Sequence, residues 1–158
     1  MNDVRIRPAR ADEEAIIRAM IRRERLDPMN VHWQNFLVAE DARGIIGIGQ
    51  IKSYPGGREL GSLVVVPERR QSGVGAALIN ALIEKSPGPL VLFCLAFREA
   101  YYAKFGFKRV ALRDLPTPFK FKYALGTFFT RLFRYRLIAM TRPAEFTAGL
   151  NEKRAICP

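Results

Sequence analysis

The sequence predicts one α/β domain in which helices flank a mixed, mostly antiparallel sheet. Short apolar and β-branched runs, separated by turns that contain Pro and Gly, have the length and pattern of strands. Two longer segments, near residues 12–21 and 73–85, instead repeat apolar residues at the helical period. The length of 158 residues and the 49% hydrophobic composition suit a single domain with its own core.

The N-terminal segment is expected to form a strand and then a helix. Residues 4–7 alternate apolar and basic side chains, which is typical of a strand with one wet face, and Pro8 should end it. Asp12 is placed to cap the helix that follows. The apolar stripe of that helix would be formed by Ile16, Ile17, Met20 and Ile21.

Two further strands are expected in the next part of the chain, at residues 36–39 and 45–51. The turn between them lies at residues 41–44, and the glycines of the second strand permit a bulge. A Pro-Gly-Gly turn at residues 55–57 then sends the chain back. These turns predict an antiparallel meander.

A strand, a loop and a helix follow one another between Glu59 and Lys85. The apolar run at residues 63–66 reads as a buried strand, and a glycine-containing loop leads into the helix at 73–85. Gly73 and Gly75 leave the loop backbone open to close approach, and a helix N-terminus attracts anions. The loop is therefore suited to a pyrophosphate, although it lacks the Gly-Lys-Ser/Thr of a Walker loop. A glycine turn that binds no ligand would have the same sequence pattern.

The C-terminal half continues with alternating strands and helices. Residues 90–96 read as a buried strand, residues 98–105 as a helix ended by a glycine, and residues 107–110 as a strand. Residues 134–140 are the expected last strand, paired beside 107–110. The tail beyond residue 143 is expected to be poorly ordered.

Positive charge and aromatic side chains are concentrated in one region. The net charge is +11, and ten Lys or Arg residues stand against two acidic residues between Arg98 and Arg136. Such a bias favours anionic partners: nucleic acid, an acidic membrane surface or a polyanionic cofactor. The aromatic and basic stretch at residues 119–133 suits a helix over a substrate site, an interface such as that of a homodimer, or a membrane-surface element.

Several classes of chemistry are disfavoured by what the sequence lacks. Cys94 and Cys157 make no disulfide framework, and with the single His32 they offer neither a metal pattern nor a Ser/His/Asp triad. No apolar run reaches the 20 or so residues of a membrane span, and residues 1–5 do not resemble a signal peptide. A cytoplasmic protein without a metal site is expected.

Two motifs resemble those of a known family. Arg70-x-x-Gly73-x-Gly75 after an apolar strand resembles the acyl-CoA pyrophosphate loop of the GNAT superfamily of acetyl-CoA-dependent N-acetyltransferases. About 30 residues on, Tyr101-Tyr102-Ala103-Lys104-Phe105-Gly106-Phe107 resembles the helix of the same family that carries Phe-Tyr and closes into Gly-Phe. The resemblance implies acetyl-CoA as cosubstrate and a sheet that splays between its two middle strands.

The resemblance also implies roles for particular residues. Glu59 would accept a proton from the acceptor amine, directly or through water, and Tyr102 would protonate or hydrogen-bond the leaving thiolate. The alternatives are an exposed strand-end carboxylate paired with Arg58 or a neighbouring lysine, and a tyrosine packed in the core. Cofactor contacts would come from Leu63, Val64, Val65, Arg70, Gln71, Ser72, Gly73, Val74, Gly75 and Ala76.

One position departs from the family pattern. Many members carry an asparagine seven residues before the tyrosine, where this chain has Leu95. In lacking this asparagine, the chain also resembles acetyltransferase domains of the N-acetylglutamate synthase type. That resemblance would suit an amine that bears a carboxylate. The family's acceptor loop would correspond to residues 29–34, so His32 and Trp33 are candidates to touch substrate or to cover the core.

The function predicted from these motifs is direct transfer of an acetyl group from acetyl-CoA to a primary amine of a small molecule or a protein. The alternative is a GNAT-like module without catalysis that binds nucleic acid or another polyanion. Its basic residues would be Arg113, Lys120, Lys122, Arg131, Arg134 and Arg136.

Overall fold

Seven strands and four α-helices, joined by turns and short 3₁₀ segments, make up the residues described by the computed structural model, 4–132 and 134–144. The strands are β1 (Arg5–Pro8), β2 (Phe36–Asp41), β3 (Gly44–Tyr54), β4 (Gly57–Val65), β5 (Leu90–Leu95), β6 (Lys108–Val110) and β7 (Leu137–Arg142). The helices are α1 (Glu14–Arg23), α2 (Val74–Lys85), α3 (Glu99–Ala103) and α4 (Thr117–Leu132). None of the described helices is long and apolar enough to cross a membrane.

The strands form one mixed sheet in the order β1-β2-β3-β4-β5-β7-β6. The pairs β1–β2, β2–β3, β5–β7 and β6–β7 are antiparallel, whereas β4 and β5 pair in parallel through Glu59 and Val91. The predicted mixed, mostly antiparallel sheet is confirmed. Among the described residues the parallel ladder is limited to this single pair, as the predicted splay requires.

The chain divides into two compact units, the first made of Met1–Lys52 and Leu60–Ser86. Its core includes Ile17 and Ile21 of α1 packed with Phe36 and Val38 of β2. A Cβ added at Gly47 would lie 3.0 Å from the Leu78 side chain, so the glycine lets α2 lie close against β3. The register of β3 also skips one residue opposite Ala39 and Glu40, which is the expected bulge.

The second unit consists of Ser53–Glu59 and Pro87–Pro158, of which residues 133 and 145–158 are outside the described part. Its core contains Phe119 of α4, which is fully buried with Val91 and Ala139. A Cβ added at Gly126 would lie 2.8 Å from Leu137 Cδ2. A glycine in the middle of α4 therefore permits close packing of the helix against β7.

The expected start of the first helix is wrong. Asp12 does not cap α1, because a 3₁₀ turn spans Ala11–Glu13 and the helix begins at Glu14. The buried acid is Glu13, which accepts hydrogen bonds from the Arg7 guanidinium and from the Arg10 N–H at 2.8 Å. This buried ion pair draws Glu13 inward and leaves Asp12 exposed. Ile16 of the predicted apolar stripe is half exposed as well.

Strand ends also differ from the expectations by a few residues. β1 includes Pro8, β3 continues to Tyr54, and β7 begins at Leu137 and ends at Arg142. The stretch at residues 119–133 lies largely in α4, and β7 pairs with β6 as expected. The expectation for the tail beyond residue 143 lies almost wholly outside the described residues.

Candidate active site

The loop between β4 and α2 has the backbone geometry of an anion cradle. Gln71 and Gly73 have φ of 63° and 86°, in the left-handed region that favours glycine, and these turns aim the chain into the helix. The Ala77 N–H donates to the Gly73 carbonyl at 3.0 Å, which begins the helical hydrogen bonding. The N–H groups of Val74, Gly75 and Ala76 precede that bond, so they have no acceptor within the helix.

Space lies open beside the cradle. A Cβ built at Gly73 would meet no atom within 4 Å, and Gln71 and Ser72 are exposed. The helix dipole adds partial positive charge at this point. A loop with free N–H groups, open space and a positive helix end fits a phosphate or pyrophosphate group.

Side chains on either side hold the cradle in place. Ser72 Oγ donates to the Arg69 carbonyl at 2.6 Å, and Arg69 is ion-paired with Asp41. The Arg70 guanidinium donates to the Val65 carbonyl at 3.2 Å and to Glu24 at 2.9 Å. The charge of Arg70 is therefore shared with Glu24, and its exposed side chain fastens the loop to β4 and to the end of α1.

The three predicted strand residues Leu63, Val64 and Val65 end β4. Val64 is buried and packs in the core of the first unit, which fixes this backbone. Just before them, Ser62 has a φ of 51°, an unusual value inside a strand, and its hydroxyl accepts a hydrogen bond from Gln50 at 2.9 Å. Gln50 is fully buried, so the irregular backbone at Ser62 is held from within.

Glu59 lies at the start of β4 and is buried, with 5% of its surface exposed. Lys122 of α4 donates to its two carboxylate oxygens at 2.9 and 2.6 Å and to the Tyr54 hydroxyl at 3.1 Å. The same ammonium lies 5.3 Å from the ring centroid of Tyr54 and 5.9 Å from that of Phe93. The alternative of an exposed Glu59 is wrong, because the side chain is buried; its partner is a lysine, as that alternative allowed, but one that comes from a helix 63 positions on.

Tyr102 lies on α3 among other aromatic rings. Its ring centroid is 5.2 Å from that of Tyr101 and 6.4 Å from that of Phe107, both in edge-to-face arrangements. Burial raises the pKa of the Tyr102 phenol, with smaller contributions in the same direction from Cys94 and Tyr101. The phenol is therefore protonated at neutral pH and is a hydrogen-bond donor.

Cys94 is a buried residue of β5. Its Sγ lies 3.8 Å from the Met140 sulfur, and burial raises the pKa of the thiol to about 11. A thiol that stays protonated is a poor nucleophile, so Cys94 fits a role as a core residue.

The other sequence candidates lie in less informative places. His32 is exposed, Trp33 packs half-buried against the core of the first unit, and Leu95 is half-buried at the end of β5. Within the described residues, no group of three or more His, Cys, Asp or Glu side chains could hold a metal ion. Tyr54 was not singled out from the sequence, and Lys122 was named only as a possible contact for nucleic acid.

Comparison with known proteins agrees with this geometry. Residues 32–109 match the family model described as an acetyltransferase (GNAT) domain. No curated protein sequence matches the chain significantly.

Solved structures share the fold at low sequence identity. N-acetylglutamate synthase from Neisseria gonorrhoeae, complexed with coenzyme A and N-acetyl-glutamate, superimposes with a TM-score of 0.74 at 19% identity, over 91% of this chain and 36% of that one. A Mycobacterium tuberculosis protein in complex with CoA matches with a TM-score of 0.67 at 15% identity, over 88% and 98% of the two chains. A GNAT-family acetyltransferase from Staphylococcus aureus gives 0.64 at 14% identity, over 90% and 99%.

This chain spans about a third of the length of the Neisseria synthase chains. At these identities the structural likeness shows the fold. Residues 32–109 of this chain are matched as an acetyltransferase domain of the GNAT family, and the chain shares the fold of solved GNAT acetyltransferases.

Proposed function

We propose that this chain is an N-acetyltransferase that transfers an acetyl group from acetyl-CoA directly to a primary amine. The observation that carries the proposal is the cradle at Gly73, which lies inside the segment matched by the GNAT model. Its backbone N–H groups and open space suit the pyrophosphate of coenzyme A, and neighbouring GNAT structures were solved with coenzyme A bound.

The cofactor would be held mainly by backbone. Gly73, Val74, Gly75 and Ala76 supply the N–H groups at the helix N-terminus, and Arg70, Gln71 and Ser72 form the loop around them. Backbone groups of Leu63, Val64 and Val65 would hold the pantetheine arm in the manner of an added strand. Bound acetyl-CoA would supply the acetyl thioester.

Glu59 is proposed to take the proton of the acceptor amine. A carboxylate has about four acceptor positions, and Lys122 occupies two of them, which leaves capacity for a second ammonium group. Only an amine that has lost its proton attacks a thioester, so a carboxylate that accepts this proton directly or through water promotes the reaction.

Tyr102 is proposed to donate a hydrogen bond to the leaving sulfur. An ordinary thiol has a pKa of about 8.5 and a tyrosine about 10, and burial raises the Tyr102 value further. Net proton transfer from the phenol to the thiolate is therefore unfavourable. Hydrogen-bond donation from a phenol that stays protonated is the better-supported role.

The acceptor class proposed first is an amino acid or another primary amine that bears a carboxylate. The basis is the likeness to the Neisseria synthase, whose structure contains N-acetyl-glutamate. Protein amines form the second group, because acceptor loops vary within this fold and the same α/β frame serves both.

Calorimetric titration with acetyl-CoA tests the cofactor site. Gly75→Glu places bulk and negative charge among the cradle N–H groups and should abolish binding. Asn80→Glu adds the same charge at an exposed position farther along α2 and should bind like wild type. Circular dichroism of each protein checks that it is folded.

An amine screen that detects the released thiol follows if binding is found. Absence of acetyl-CoA binding by the folded wild type at micromolar sensitivity would overturn the proposal and favour the polyanion-binding module. Nucleic-acid titrations over a range of salt concentrations would then test the module, because phosphate-driven binding weakens steeply with salt.

A further inference from the structure

Among the described residues, helix α4 carries apolar side chains on two opposite faces, one that packs into the second unit and one whose side chains are largely exposed. Phe119 is fully buried and Tyr123, one turn on, donates to the Leu137 carbonyl, so this face packs against the second unit's own strands. Phe121, Leu125 and Phe128 recur at spacings of four and three residues, which places them on one stripe. They are 76%, 46% and 71% exposed.

The exposed stripe has a basic border. Lys120 and Arg131 are 11 residues apart, which is close to three helical turns, so they lie on the same side of α4 next to the stripe. The sequence contains no Asp or Glu from Leu115 to Ala144. The large apolar side chains thus have positive charge along one side, and this segment itself contains no acidic residue.

A groove beside α4 provides further positive charge and hydrogen-bond donors. It has a volume of about 350 Å³ and is open to solvent. Arg131, Tyr135 and Arg136 are among the residues that line it, and Tyr135 is 56% exposed. Two guanidinium groups and a phenol at one groove match the hydrogen-bond acceptors of a phosphate head group.

We propose that this face of α4, which we define by Phe121, Leu125, Phe128 and Arg131, binds the surface of an anionic phospholipid bilayer. The apolar stripe would enter the boundary between head groups and acyl chains, and the arginines would contact lipid phosphates. The helix would lie in the plane of the membrane and would not cross it.

The composition of the face favours lipid over other occupants. A second copy of the chain would bring the same positive border against itself, which repulsion opposes. Single-stranded nucleic acid stacks on aromatic rings, but Leu125 at the centre of the stripe offers no ring for a base. Helices that bind at the membrane surface share this pattern of an apolar stripe next to basic side chains.

Vesicle sedimentation of the full chain tests the proposal without any acetyl-CoA. The two lipid mixtures are phosphatidylcholine alone and phosphatidylcholine with phosphatidylglycerol. Wild type should bind the anionic vesicles and not the neutral ones. Phe121→Ser should weaken binding about tenfold through lost apolar burial. Arg131→Glu should weaken it at least about fivefold, since each basic residue near the surface contributes on the order of a fivefold gain.

Matched controls carry the same changes elsewhere. Phe97→Ser removes a 67% exposed phenylalanine outside α4, and Arg22→Glu reverses an exposed charge on α1. Both should bind vesicles like wild type. Loss of binding in the α4 variants alone, with folded protein by circular dichroism, supports the proposal.

Three results would overturn it. The first is absence of binding to anionic vesicles at low salt, or equal binding by wild type and the α4 variants. The second is a wild-type dimer that Phe121→Ser converts to monomer, which assigns the stripe to a second copy. The third is oligonucleotide binding that Arg131→Glu removes while vesicle binding stays unchanged.

Discussion

The Lys122 ammonium is bound to Glu59 through both carboxylate oxygens, at 2.9 and 2.6 Å, across 63 positions of sequence. Glu59 is buried and the Lys122 side chain is 24% exposed, so the pair lies in partly dehydrated surroundings. Tyr54 and Phe93 present their rings to the same ammonium. The charge of the proposed base is therefore compensated from within the second unit.

Lys122→Met should destabilise the protein because it leaves the Glu59 carboxylate buried without its cation. Breaking a fully buried pair by removing one partner costs about 3–5 kcal/mol, and the partial exposure of Lys122 lowers the expected loss to about 2–3 kcal/mol. Urea unfolding followed by circular dichroism measures the change.

The double variant Glu59→Gln with Lys122→Met provides the control for that experiment. It removes both charges, so it should recover much of the loss if the cost comes from the unpaired carboxylate. Equal stability of the double variant and Lys122→Met would show instead that the ammonium stabilises α4 mainly through its contacts with Tyr54 and Phe93.

Tyr102→Phe should lower kcat about 100-fold, the order expected when one hydrogen-bond donor to a developing anion is lost, with little change in KM. The raised pKa of the Tyr102 phenol means that it stays protonated from about pH 6 to 9. Ionisation of Tyr102 should therefore not lower the wild-type rate in that range. The pH dependence of the rate should have the same shape in wild type and in Tyr102→Phe. Steady-state kinetics on an acceptor found by the amine screen provides both readouts.

Unchanged turnover in Tyr102→Phe would assign the tyrosine to the aromatic packing with Tyr101 and Phe107. Tyr101→Phe is the matched control, because it removes a hydroxyl from the adjacent ring of the same cluster. It should leave kcat within about twofold of wild type if only the Tyr102 hydroxyl meets the sulfur.

The local parts of the fold could be predicted from the sequence because their signals are local. The loop from Arg70 to Gly75 and the following helix are specified by glycine spacing and an apolar period, and the structure places them as expected. Glu59 at the start of a strand was also expected. Adjacent residues carry each of these signals, so one sequence suffices to read them.

The partners of the site residues could not be predicted in this way. Lys122 reads as one of many basic residues in an aromatic stretch, and only the packing of Phe119 into the core turns it toward Glu59. The prediction of where α1 starts was wrong for a similar reason. Glu13 pairs with Arg7, although Asp12 is the better capping residue. Tertiary ion pairs override local capping preference when they are buried.

The Arg7–Glu13 pair should make stability depend on acidity. Hydrogen bonds from the Arg7 guanidinium, the largest cause, hold the pKa of Glu13 below its ordinary value of 4.5. A depressed pKa in the folded state contributes stability that is present above about pH 4.5 and is lost as the pH falls through the lowered value. Glu13→Gln should therefore be less stable than wild type near neutral pH, and the difference should shrink below about pH 4.5.

Urea unfolding at a series of pH values measures that difference. Glu14→Gln is the control, because Glu14 is partly exposed and its ion pair with Arg18 is exposed as well. A gap between Glu13→Gln and wild type that stays constant down to strongly acid pH would show that the carboxylate charge of Glu13 does not provide the stability.

Gly57→Ala should destabilise the second unit through a single contact. A Cβ at this position would lie 2.5 Å from Cε2 and 3.1 Å from Cζ of Phe119, whose ring is fully buried and cannot move outward without opening the core. Overpacking of this kind typically costs about 1–3 kcal/mol, measured here by urea unfolding. Phe119→Leu removes the two ring atoms, so Gly57→Ala should cost less in that background than in wild type. An equal cost in both backgrounds would place the strain in the backbone of β4 and not in its contact with α4.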